Sequence, residues 1–301
     1  MPISARTAKI ILILCMLLPA ARGFAAPERE DKYLLESALR RDVEFFSDSL
    51  CAGRRTGSAG GSDAAFYIIR RMYKLGYDVR TESFRTEQDA VGRNIIATPS
   101  GGLSRSAARL PILLIASYDG LGKIGDRFYP GADSNASGVA ALLWLAESLK
   151  GRTDVILAFV DGHNSNMSGA YALKSSMARQ RLRMVVSLDI LGSTLAPPDR
   201  YWKNYLIVLG GAGWQRSLER ANMETALHLY YDYYGSRSFT DLFYRKVSDH
   251  KVFLDRGIPV LMFTSGITMN TNREGDTSES LDYGIFAERV TLISNWLRAL
   301  Q

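Results

Sequence analysis

The polar side chains able to do chemistry recur at one kind of place, directly after short apolar runs. Ser117 and Asp119 follow the run 110–116, and Asp161, His163 and Asn164 follow 155–160. Asp189 ends 184–188, and Ser265 follows 258–263. Carboxylates, imidazoles and hydroxyls gathered at one edge suit metal coordination, proton transfer or nucleophilic attack. The chain holds only three histidines, His163, His228 and His250, which narrows these choices. There is no His-Glu-x-x-His helix, so a metalloprotease of that type is excluded. There is no Gly-x-Ser-x-Gly elbow of the α/β-hydrolase kind. Gly210-Gly211-Ala212-Gly213 lacks dinucleotide-site spacing and reads as a tight turn. Ser117 or Ser134 with His163 and Asp189 would form a nucleophile, base and orienter, but nothing in their spacing supports that geometry. His163, His250 and Asp189 form the alternative donor set for a single metal ion.

The apolar runs are short, continuous and bounded by polar residues, which predicts strands buried on both faces. Helical patterns at 135–150, 168–178 and 284–300 alternate with them. The reading is an α/β fold: one domain with a mixed, mostly parallel β-sheet flanked by helices on both faces. In such sheets a ligand crevice lies beyond the carboxyl ends of the strands, where the polar residues fall. An amphipathic helix is expected over 31–48, from Leu34, Leu35, Leu39, Val43 and Phe46. After a turn-rich loop, Ser62 is the expected cap of a helix carrying Phe66, Ile69 and Met72.

The 301 residues are 47% hydrophobic and 23% charged, which excludes a disordered or collagen-like chain. Residues 1–25 read as a secretory signal, with Arg6 and Lys9, an apolar run over 10–18 and a small-residue end at Gly23-Phe24-Ala25. The apolar run is too short to span a bilayer, which needs about 20 residues. The organisation is therefore a signal over 1–25, one domain over 26–301, and export to a bacterial periplasm or the extracellular space. Removing 1–25 takes Arg6, Lys9 and Arg22 with no acid, halving the net charge of +6. The residual charge is scattered and argues against a nucleic-acid partner. Cys51 is then the sole thiol and reads as a buried structural residue. The run Tyr230-Tyr231-Asp232-Tyr233-Tyr234 reads either as a stacking surface for peptide or sugar or as a strand end, with His228 structural.

The most specific segment is Gly131-Ala132-Asp133-Ser134-Asn135-Ala136-Ser137-Gly138. It resembles the Gly-Ala-Asp-Asp-Asn-Ala-Ser-Gly pattern of the co-catalytic zinc aminopeptidases, metallopeptidase family twenty-eight. That family's relatives include glutaminyl cyclases and the transferrin-receptor ectodomain. Further ordered resemblances are Gly53-Arg54 with Thr56-Gly57-Ser58, Asn94-Ile95-Ile96-Ala97, Ala116-Ser117-Tyr118-Asp119, Ser187-Leu188-Asp189, Ser248-Asp249-His250 and Gly257-Ile258-Pro259-Val260. The late Tyr-His-Thr and Asp-Thr elements are represented by Met269-Asn270-Thr271 and Asp276-Thr277.

The resemblance implies two zinc ions held by a His, a bridging Asp, a Glu, an Asp and a His, with a neighbouring Glu as general base. Those ligand positions here carry Ser117, Ser134, Asn164, Asp189 and Asn270, and the base position carries His163. Only Asp189 is retained. A catalytic zinc takes about three N, O or S protein ligands, and paired dications about 3.5–4 Å apart need a bridging anion. Hence no catalytic residue and no metal or other cofactor is expected. The cleft, with Asp119, Asp249 and His250 beside those positions, is expected to take a peptide or protein partner. The alternative is an active zinc metallo-aminopeptidase, or a glutaminyl-cyclase-like enzyme, with a rearranged metal site. A third reading is an interaction protein working through another surface.

Overall fold

The computed structural model describes residues 27–104, 106 and 109–300. The expected signal, 1–25, lies outside them. The backbone divides into two compact units, 1–34 and 35–301. Within the described residues the first holds only the start of helix α1 (Pro27–Ser47). The second holds the rest of that helix and everything that follows.

The second unit is built on an eight-stranded sheet. Its strands are β1 (Tyr77–Arg85), β2 (Val91–Pro99), β3 (Ile112–Ser117), β6 (Val155–Val160), β7 (Met184–Leu188), β8 (Tyr205–Leu209), β9 (His228–Tyr231) and β10 (Val260–Thr264). A separate hairpin pairs β4 (Gly122–Ile124) with β5 (Arg127–Tyr129). The sheet order is β1-β2-β6-β3-β7-β10-β8-β9. The inner four strands, β6, β3, β7 and β10, are mutually parallel. The β1–β2 and β2–β6 pairs are antiparallel, as is β10–β8, while β8–β9 is parallel. Every residue of β3, β6, β7 and β10 is buried, as expected for strands covered on both faces.

Alternation along those strands divides the core. Ile112, Leu114 and Ala116 of β3 face one layer with Leu157, Phe159, Val186 and Leu188. That layer is covered by α1, α2 (Ala59–Lys74), α3 (Ser137–Ser148), α5 (Gln215–Ala221) and α8 (Tyr283–Ala299). Leu113 and Ile115 face the opposite layer, with α4 (Ser168–Ser176) and α7 (Lys251–Leu254). Tyr205, Ile207, Leu209 and Met262 pack beside α6 (Arg237–Lys246) through Phe243. No helix among the described residues is long and apolar enough to cross a membrane.

Some boundaries differ from the sequence expectation. Ser58, not Ser62, caps α2, its hydroxyl accepting the Gly61 N–H at 3.1 Å. The helix runs through Gly60, where a Cβ would lie 1.9 Å from the Cys51 carbonyl oxygen. Close backbone approach, rather than helix breaking, explains this glycine. Strand β10 starts at Val260, two residues after the start of the apolar run, since Pro259 has no N–H to pair.

Candidate functional site

The parallel strands deliver Ser117, Asp161, Asp189 and Ser265 to the same edge of the sheet. The 131–138 segment is held there by its own side chains. Asp133 accepts the N–H groups of Gly192 at 2.7 Å and Ser193 at 3.2 Å. Asn135 accepts from Gly138 and Ile190 N–H at 3.1 and 2.9 Å and donates to the Leu188 carbonyl at 3.0 Å. The Ser137 hydroxyl donates to the Asp133 carbonyl at 2.8 Å and accepts from Leu191 N–H at 2.9 Å. The Ser134–Asn135 peptide is cis. Three retained polar residues of the motif therefore stitch β3 and the loop after β7 to the start of α3, a role that needs no ion.

Ser134, at the bridging-carboxylate position, is turned to a different partner. Its N–H and hydroxyl both donate to Asp276, at 3.1 and 2.7 Å, and Asp133 N–H donates to the other Asp276 oxygen at 2.7 Å. Burial pushes the Asp276 carboxyl up, and these donors hold it down. Burial, and next the Asp276 charge, push Asp133 up to about 7.

Across the cleft, Asp119 organises the loop after β6. One of its oxygens accepts His163 N–H at 2.9 Å; the other accepts Asn164 N–H at 3.0 Å and the Asn164 side-chain amide at 3.2 Å. His163 Nδ1 lies 3.0 Å from Asp249 Oδ2. Burial opposes the imidazolium, but Asp249, Asp189 and Asp119 outweigh it and raise His163 to about 10. Nδ1–H is thus a donor to Asp249. Burial raises Asp119 to about 6, with Asp161 adding to the rise and His163 opposing it. Asp189, also raised by burial, is opposed by His163 and accepts a long bond of 3.4 Å from the Ser248 hydroxyl. The remaining Asp249 oxygen is buried without a partner.

The structure joins His163 to Asp249 and Asp119, and Ser117 to Asn135, whose amide lies 3.4 Å from the Ser117 hydroxyl. His250 is turned elsewhere: it is fully buried, with Nε2 2.7 Å from the Tyr244 carbonyl of α6. Burial lowers it to about 4, so the neutral ring donates to that carbonyl. Asn270 forms part of a turn, with its N–H on the Thr268 hydroxyl and its carbonyl accepting Arg273 N–H.

These donors do not fit a zinc pair. Of the five positions only Asp189 offers a carboxylate. The Ser134 hydroxyl is committed to Asp276, and the Asn164 amide to Asp119. Neutral hydroxyls and amides are poor zinc ligands and bring no charge to offset two dications. Of the alternative set Asp189, His163 and His250, His163 meets Asp249 through Nδ1 and His250 turns its Nε2 to the Tyr244 carbonyl. Among the described residues no group of three or more His, Cys, Asp and Glu is arranged to hold a metal ion.

Two supporting residues were not singled out for these roles by sequence reasoning. Arg54 is fully buried and donates to the carbonyls of Tyr118 at 2.9 Å, Pro130 at 2.8 Å, Gly131 at 2.8 Å, and Phe46. Asp276 is fully buried and closes the 133–134 loop as above. The Gly-Arg-x-Thr-Gly-Ser resemblance marked the Arg54 segment; its neighbour Thr56 donates to Asp161 at 2.8 Å.

Comparison with known proteins agrees with this architecture. The chain is 27% identical over 208 residues to the alkaline phosphatase isozyme conversion protein of Escherichia coli K12, a match spanning 62% of this chain and 58% of that protein. The chain thus matches less than two thirds of that relative's length. Among solved structures it resembles BSAP, a zinc aminopeptidase from Bacillus subtilis, with a TM-score of 0.70 and 12% identity over 88% of this chain and 94% of that one. It also resembles the Fimbriiglobus ruber glutaminyl cyclase, with a TM-score of 0.65 and 14% identity over 88% of this chain and 95% of that one. At such identities these structures share the fold. The family model for peptidase family M28 matches residues 94–296, from the middle of β2 into α8 and across all five ligand positions. The chain belongs to peptidase family M28.

Proposed function

We propose that this chain is an exported family member that has lost zinc binding and peptidase activity and uses the former active-site cleft to bind a peptide or protein. The observation that carries the reading is the commitment of Ser134 to Asp276 and of Asn164 to Asp119. Two former ligand positions have become hydrogen-bonding members of the loop scaffold. Without a bound metal, water keeps its bulk pKa near about 15.7, and amide hydrolysis lacks a nucleophile at neutral pH. His163 does not replace the missing base, because its imidazolium has no lone pair with which to take a proton. The signal reading of residues 1–25 supports export.

The test is elemental analysis of protein purified without chelator, together with hydrolysis of aminoacyl anilides. The expected result is substoichiometric zinc and no turnover above buffer. Two zinc ions per chain with turnover would restore the aminopeptidase reading. For the cleft, Asp189→Trp is expected to abolish peptide capture, with the urea midpoint measured alongside to separate a blocked cleft from an unfolded chain. Unchanged capture would assign binding to another surface.

A further inference from the structure

A second concave site lies outside the cleft and shares no lining residue with the groups described above. It is a groove of about 780 Å³ between the end of α1, the turn at 49–54 and one face of α2. That volume lies within the range of small-molecule sites. Its apolar wall is Phe45, Leu50 and Phe66; Leu50 is 80% exposed and Phe66 61%. Tyr67 continues the wall, stacked on Phe45 with ring centroids 4.1 Å apart.

The polar groups are distributed unevenly. Arg70, Arg71 and Lys74 line the end of the groove towards the last turns of α2. Arg71 is committed to Asp42 at 3.2 Å. Arg70 lies over the Phe66 ring at 5.7 Å, and among the described residues neither Arg70 nor Lys74 has an acidic partner within ion-pair distance. The lining carboxylate, Asp63, is seven residues before Arg70, about 10 Å along the helix axis. The groove therefore presents an apolar trough with Arg70 and Lys74 at one end.

We infer that this groove binds a single long-chain fatty acid, its hydrocarbon against Phe45, Leu50 and Phe66 and its carboxylate between Arg70 and Lys74. Charge complementarity selects an anion. The shortage of neutral hydrogen-bonding side chains selects an acyl tail over an extended peptide, whose backbone requires donors and acceptors along its length. The Tyr67 hydroxyl does not supply them, being bound to Asp42 at 2.6 Å.

The experiment is displacement of cis-parinaric acid from the full chain by palmitate below its micellar concentration. Hexadecanol is the uncharged comparison and phosphatidylglycerol vesicles the surface comparison. Saturable displacement at one palmitate per chain is expected, with hexadecanol at least about tenfold weaker. Arg70→Glu with Lys74→Glu is expected to weaken palmitate at least about tenfold, and Phe66→Ser to weaken both competitors. Lys74 also offsets the negative end of α2, so the urea midpoint of each variant is measured alongside, and Arg70→Gln with Lys74→Gln serves if charge reversal unfolds the chain. No displacement, equal affinity for hexadecanol, palmitate affinity unchanged in the folded charge variants, or binding to vesicles without uptake of monomeric palmitate would each overturn the inference.

Discussion

Arg54 shows how one residue supports the cleft without being exposed in it. Its guanidinium reaches carbonyls at residues 46, 118, 130 and 131, linking the end of α1 to the loops after β3 and β5. Burial pushes its pKa below the ordinary arginine range. A planar fork of five donors can reach four carbonyls at once, whereas lysine offers three donors on one compact nitrogen. Replacement by an apolar residue leaves buried carbonyls without partners. Arg54→Met is therefore expected to cost about 3 kcal/mol, with Arg54→Lys recovering less than half of it, measured by urea unfolding. A loss below about 0.5 kcal/mol would show that the carbonyls find other partners. Activity readouts are irrelevant to this prediction, which concerns only the frame.

At the scale of elements, the entry into α3 depends on backbone proximity as well as on side chains. A Cβ on Gly138 would lie 2.4 Å from Asn135 Oδ1 and 2.5 Å from the Leu188 carbonyl. Gly138→Ala should therefore push Asn135 off its bonds to β7, at a cost of about 1–3 kcal/mol in thermal or urea unfolding. A neutral substitution would mean that the loop relaxes freely. Much of this level was legible in the sequence. The central strands are all-buried apolar runs, and β3 and β6 fall where the runs 110–116 and 155–160 predict them. The missed antiparallel strand β1 is Tyr-Asp-Val-Arg-Thr-Glu-Ser-Phe-Arg, mostly exposed or half-buried, and its apolar residues are too sparse to announce a strand. Helix α6 was missed for a related reason: only Thr240 and Phe243 of its ten residues are buried. The four altered ligand positions were legible because a motif fixes their spacing. The partners Asp276 and Asp119 find for Ser134 and Asn164 were not, since those contacts span 142 and 45 residues.

For the molecule as a whole, the cleft gathers several carboxylates against one imidazolium, and this balance sets how stability depends on pH. His163 is the protonated group facing Asp249, Asp189 and Asp119. Its folded pKa of about 10 exceeds the ordinary 6.5, so between these values the folded chain holds a proton that the unfolded chain releases. That stabilisation is fully present below 6.5 and is lost as pH rises through 10. Asp119 and Asp133, raised to about 6 and 7, act with the same sign at lower pH, their contributions lost as pH rises through those values. His250, lowered to about 4, acts oppositely: its contribution is present above 6.5 and lost as pH falls through 4. Cys51, raised to about 11 from 9.0, adds a loss at higher pH. The window from pH 7 to 9 is thus governed mainly by His163. Unfolding free energy is expected to fall there by up to about 1.4 kcal/mol per pH unit, less in high salt because the His163 side chain is 30% exposed. His163→Gln should flatten that decline and, by removing the cation that opposes their rise, push Asp119 and Asp189 further up. A wild-type profile that is level from pH 7 to 9 would show that His163 is neutral in the folded chain, and Asp249 would then face an imidazole rather than a cation.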